Sequence, residues 1–158
     1  MTRAGVTQYQ RAFLSIVLLV LFASGCTVQY VSRYDEATEQ SITQIQRSVE
    51  TLLQRIQQNL GTPDAAYENY IPVYEKLHVD AALLQTRAQA IDLNSITAEQ
   101  SELLIGWLGN LEELHKIGFS DAEMLTVVRT QSQQIFVAML KFELAKKRQL
   151  DPPIIGEE

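Results

Sequence analysis

Two hydrophobic patterns divide this chain. Residues 12–23 form an apolar run broken only by Ser15, whereas the apolar positions after residue 31 are periodic. Ile42, Ile45, Val49, Leu52, Leu53, Ile56 and Leu60 recur at spacings of three and four, which marks one buried helical stripe. The remaining faces carry Gln40, Gln44, Gln46, Gln54, Gln57 and Gln58, so they are well solvated but weakly charged. Gly61 is a natural C-terminal stop, and Thr62-Pro63-Asp64 reads as a new N-cap, first-turn proline and acidic first turn.

The second periodic segment, 63–91, places Tyr67, Tyr70, Ile71, Tyr74, Leu77, Ala81, Leu84, Ala88 and Ile91 on one stripe. Pro72 lies inside it, and a proline removes a helical hydrogen bond and clashes with the preceding turn, so a kink or break is expected at residues 70–71. The three tyrosines are expected in the core with wet hydroxyls. A third helix starts at the Thr97/Gln100 capping box and runs to Ile117, with Leu103, Leu104, Trp107, Leu108, Leu111 and Leu114 inward. Gly106 and Gly109 within it either admit a close neighbour or mark an irregularity. Gly118-Phe119 ends that helix, and a second capping box at residues 120–123 opens a fourth. Met124, Leu125, Val128, Ile135, Phe136, Met139, Phe142 and Leu144 form its stripe. Lys146, Lys147 and Arg148 suit the negative end of its dipole. Four helices joined by short connections predict an all-α, antiparallel up-down-up-down four-helix bundle over residues 35–148, followed by a tail at 149–158. No strand pattern of useful length occurs.

The unbroken run has a different meaning. Arg3 and Arg11 precede it without any acid, and small residues close it. Positive, apolar and small in that order is the arrangement of a secretory signal. Twelve helical residues rise only about 18 Å, short of a ~30 Å hydrocarbon core, which disfavours a spanning anchor. The run ends Ala23-Ser24-Gly25-Cys26, and Cys26 is the only cysteine in the chain. This sequence resembles a bacterial lipobox. The resemblance implies removal of residues 1–25 as a signal peptide. It also implies attachment of diacylglycerol and an N-linked acyl chain such as palmitate to Cys26, with residues 26–34 as a short tether. Each buried methylene contributes about 0.8 kcal/mol, so several chains give a lasting anchor. Thr27 follows the cysteine where aspartate is absent, which in enterobacterial-type lipoproteins implies the outer membrane over the inner, on the periplasmic side.

Loss of residues 1–25 removes two of 13 cations and none of 19 acids, leaving a formal charge of −8. That charge disfavours nucleic acid, which needs a clustered basic face. With Cys26 acylated no thiol remains for a disulfide, so the 133-residue mature chain stands on packing alone. The bundle topology also orients it. The tether and the end of the fourth helix share one end, so Lys146, Lys147 and Arg148 are expected near the bilayer, where a basic residue contributes about 1 kcal/mol. The connections at 61–64 and 118–121 become the outward acidic tips.

One constellation could carry chemistry. Glu75/His78 and Glu112/His115 both read Glu-x-x-His on predicted helices, as in di-iron or di-manganese bundles, and Glu123 stands at a suitable level on helix four. The first helix offers only Gln40, Gln44 and Thr43 at that level, and the two motifs lie on consecutive helices. The plainer reading is two boundary histidines, each with a solvated glutamate one turn back. There is no glycine-rich phosphate loop and no Gly-x-Ser-x-Gly. Residues 34–38 (YDEAT), 111–116 (LEELHK) and 141–148 (KFELAKKR) resemble a group of small bacterial lipoproteins with all-helical domains, a likeness that implies no activity, cofactor or site residues. The sequence therefore predicts a non-catalytic binding or accessory module in the bacterial envelope. It would be held to the membrane by lipid and engage another envelope protein, with the di-metal bundle as the enzyme-class alternative.

Overall fold

Asp35 starts the first helix. Its backbone is extended, and its Oδ2 accepts the Thr38 N–H at 3.0 Å and the Thr38 hydroxyl at 2.6 Å, satisfying donors that a helix start leaves open. A computed structural model describes residues 30–150. The signal stretch, Cys26 and the tail from 151 to 158 lie outside the described residues. Four α-helices follow in order: α1 (Glu36–Gln58), α2 (Ile71–Ala90), α3 (Ser95–Ile117) and α4 (Ala122–Leu150). Two 3-10 turns, Pro63–Ala65 and Tyr67–Tyr70, connect α1 to α2. The described residues contain no strand, and no helix among them is long and apolar enough to cross a membrane.

Pro72 sets where the second helix can begin. It occupies the second position of α2, where the missing N–H costs nothing, so the second helix begins at Ile71 and not at residue 63. The interruption is thus more than a kink. Ala66 is extended between the two turns, and Asn69 Nδ2 donates to the Pro63 carbonyl at 3.1 Å to hold them together.

Helix α1 buries the predicted stripe, from Ile42 to Ile56, against both α2 and α4. Burying a side chain such as Ile42 or Leu53 fully contributes roughly 1.5–3 kcal/mol. Arg87 near the end of α2 grips Asp35 with two nitrogens, at 2.6 and 2.9 Å, and this holds the carboxyl far below the usual range. Arg129 in the first half of α4 reaches Gln57 and Glu50 of α1, and Lys147 near the end of α4 lies 3.8 Å from Glu39. Helix α3 packs extensively on α2 and sparingly on α4.

The core of α3 differs from expectation. Its buried line is Thr97, Ser101, Leu104, Leu108, Leu111 and His115, while Leu103 is 70% exposed. Neighbouring residues on a helix point about 100° apart, and the buried line of α3 is narrow enough that burying Leu104 turns Leu103 outward. The helix begins two residues before the predicted capping box, at Ser95, and Thr97 is interior. Helix α4 does have a side-chain cap, but from Asp121 and not Ser120: Asp121 Oδ1 accepts the Met124 N–H at 2.9 Å. Gly118 closes α3 at φ 99°, a conformation that side-chain-bearing residues rarely adopt, with its N–H shared between the Leu114 and His115 carbonyls.

Gly106 and Gly109 admit no close neighbour. A methyl group added at either would meet nothing within 4 Å. Gly106→Ala is therefore expected to stabilise the domain by about 1 kcal/mol, by favouring the helix and restricting the unfolded chain. Thermal unfolding should register this as a Tm increase of about 3–6 °C, and a decrease would mean that Gly106 meets something in solution after all.

Candidate functional site

Three of the four residues in the two Glu-x-x-His pairs, His78, Glu112 and His115, join one cluster built around α3, while Glu75 stays outside it. Glu112 and His115 are three residues apart and share one side of this helix, with His115 on the buried line and Glu112 at its half-buried edge. His115 continues the buried line of Leu104, Leu108 and Leu111. Its Nε2–H donates to the Ala65 carbonyl in the first 3-10 turn at 2.8 Å. A carbonyl only accepts, so in the neutral ring Nδ1 is the acceptor, and it takes the Tyr74 hydroxyl at 3.0 Å. The rings of Tyr67, Tyr70, Tyr74 and Phe119 surround the imidazole, with centroids 5.2–5.9 Å away. Burial lowers the His115 pKa, which keeps the ring neutral, and burial likewise raises that of Tyr74.

Glu112 collects the second half of the cluster. Its Oε1 accepts the Tyr67 hydroxyl at 2.6 Å and lies 3.3 Å from Lys116 Nζ, while its Oε2 meets His78 Nε2 at 2.7 Å. The Tyr67 hydroxyl, then His78 and Lys116, push the carboxyl down to about 2. Lys116 also lies 5.2 Å over the Tyr67 ring and 2.7 Å from Glu113. Tyr70 and Tyr74 are thus core residues as expected and Tyr67 packs half-buried against them, with the hydroxyls of Tyr67 and Tyr74 donating to Glu112 and His115.

The five residues of the di-metal alternative do not gather at one point among the described residues. His78 and Glu112 come together, yet no third histidine, cysteine, aspartate or glutamate joins them among the described residues. Glu75 and Glu123 are both exposed, and Glu123 lies along a shallow groove with Leu114, Met124 and Val127. Both ring nitrogens of His115 are engaged by the chain itself. What the cluster does is fasten the 3-10 connection to α3.

A second polar cluster, at the other end of the helices, was not visible in the sequence. Lys146 Nζ donates to Asn94 Oδ1 at 2.6 Å, Glu143 Oε1 at 2.7 Å and Thr97 Oγ1 at 2.9 Å. The Thr97 hydroxyl donates to the same Glu143 oxygen at 2.7 Å, and Ser32 Oγ donates to Asn94 Oδ1 at 2.9 Å. Lys146 is 3% exposed and Glu143 is 1% exposed. This corrects the expectation that Lys146 joins Lys147 and Arg148 in meeting the bilayer, since its ammonium is buried. It occupies a stripe position, one turn beyond Glu143 and two beyond Met139, and its three protons are all engaged within the fold. Of the basic trio only Lys147 and Arg148 are exposed. Lys147 Nζ lies 4.9 Å over the Tyr34 ring. The available signal was the spacing of Ser132, Phe136, Met139, Glu143 and Lys146, which continues the buried line of α4 through its charged residues.

Comparison of the chain with protein families, curated proteins and solved structures gave no match. The functional reading therefore rests on the residues and their geometry.

Proposed function

We propose that this chain is a lipid-anchored, antiparallel up-down-up-down four-helix bundle of the bacterial envelope that acts by binding, as an accessory module of a larger assembly. The observation that carries the reading is Cys26, the sole cysteine, placed after an apolar run and the small residues Ser24 and Gly25. The antiparallel arrangement draws support from which residues pair. Asp35 meets Arg87, Glu39 meets Lys147, and His78 meets Glu112, so helix starts face helix ends.

Binding in preference to catalysis is supported by the engagement of Glu112, His115, Glu143 and Lys146 with the chain's own groups. A partner-facing surface is supported by Leu103 and Ile117 on α3 and Val127 on α4, which stand exposed, with Trp107 half-buried. Apolar side chains on an outer flank favour association with another protein.

The test is a Cys26→Ser variant expressed in a Gram-negative host. Wild type is expected to sediment with outer-membrane fractions and to incorporate an alkyne-tagged palmitate. The variant should lose the label entirely. Unchanged labelling, or a wild-type protein whose mass shows an unmodified Cys26, would remove the anchor from this reading.

A further inference from the structure

Leu93 is the only non-glycine among the described residues with a left-handed backbone, at φ 60°. Glycine or asparagine is the usual occupant, because a larger side chain crowds the following carbonyl there. The strain gains no interior packing, since the Leu93 side chain is 57% exposed. Ile96, three residues on in the first turn of α3, is 44% exposed. A strained backbone that holds an apolar side chain outward points to a role outside the fold.

The position of this connection indicates what it meets. The Ser32 N–H donates to the Leu93 carbonyl at 2.9 Å, and Ser32 also holds Asn94. Ser32 follows Cys26 by six residues, a reach of at most about 21 Å of extended chain. Arg33 is exposed beside Ser32, and Lys147 and Arg148 are exposed at the same end of the domain. Asp92 and Glu99, also exposed, are the acids nearest the apolar pair in sequence, and Glu39 lies close to Lys147. The cations therefore come from the entering chain and α4, whereas the acids Asp92, Glu99 and Glu102 line a shallow groove together with Leu93.

We propose that Leu93 and Ile96 seat in the interfacial layer of a lipid bilayer, with Arg33, Lys147 and Arg148 at its headgroup phosphates. The domain then has a second, non-covalent contact with the membrane, and this inference rests on the reading of Cys26 as acylated. Interfacial binding combines buried apolar area with attraction to anionic lipid, and the tether delivers both to the surface.

The test uses the acylated protein in phosphatidylethanolamine–phosphatidylglycerol vesicles. Ile96→Cys and, separately, Thr62→Cys are labelled with an environment-sensitive fluorophore, Cys26 being blocked by its acyl chains. Lipids carrying a shallow quencher are expected to quench the label at position 96 several-fold more than that at position 62. Equal quenching at both positions, or none at 96 in protein whose mass shows intact acylation, overturns the proposal and leaves the lipid anchor standing. A protein found without acyl chains overturns both readings. A Leu93→Asn substitution provides the second arm, because asparagine tolerates the left-handed backbone. It is expected to raise Tm while at least halving the quenching at position 96. Wild-type quenching in this variant would overturn the proposal.

Discussion

Replacing His115 with alanine is expected to destabilise the domain by about 3–5 kcal/mol, a large part of the stability of a small protein. Three losses combine. The Ala65 carbonyl loses its donor, the Tyr74 hydroxyl loses its acceptor, and a cavity opens among four aromatic rings. Urea unfolding measures the loss as a lower midpoint, and a change under 1 kcal/mol would mean that water replaces the imidazole without penalty. The pH dependence provides an independent check. The folded-state pKa of His115 lies below the ordinary 6.5, so the unfolded chain binds the proton more readily. Its contribution to stability is present in full above about pH 6.5 and is lost as pH falls from there through the folded value. A His115→Ala variant should lack that part of the acid slope, and an unchanged slope would assign it elsewhere.

Lys146→Met is expected to have an effect of similar size, about 3–5 kcal/mol, for a different reason. It leaves the Glu143 carboxylate buried without its countercharge, when Glu143 Oε2 already has no partner. Exchanging both members, as in Lys146→Met with Glu143→Leu, should recover most of the loss, because apolar groups of similar volume tolerate the site. A double-mutant cycle by urea unfolding tests the pairing. If the two single losses simply add, the ammonium and carboxylate do not depend on each other and the network has been misread.

These residues also mark where the sequence was legible. The stripe of α1 was read correctly because its buried positions are nearly all aliphatic and its outer faces nearly all polar. Periodicity then measures burial directly. On α3 the same reading counted apolar identity, so it drew Leu103 inward and left out Thr97, Ser101 and His115. Those three follow the three-and-four spacing as strictly as Leu104, Leu108 and Leu111 do. Pro72 announced a disruption, but nothing local fixed its form, since the two 3-10 turns depend on His115 holding Ala65 from 50 residues away. Lys146 was read with Lys147 and Arg148 as a terminal basic cluster, and Glu143 was given no place on the stripe. Their burial depends on Asn94 and Thr97, which only folding brings near. The Glu-x-x-His spacing was real, yet spacing along a helix places a glutamate and a histidine on one side of it without deciding what either will meet.

The fastening of Ser32 has a mechanical consequence. A domain held to a membrane and gripped by a partner bears tension, and on the reading above that tension enters through residues 26–32. The Ser32–Leu93 hydrogen bond and the Asp35–Arg87 fork each join the entering chain to positions 52 or more residues away. A pull is therefore shared with the end of α2 and the start of α3 before it can unwind the first turn of α1. On that reading, the entering end is braced against load. At the far end, compliance lies in the 3-10 connection, where the chain between α1 and α2 is held by a few side-chain clasps and no continuous helical ladder.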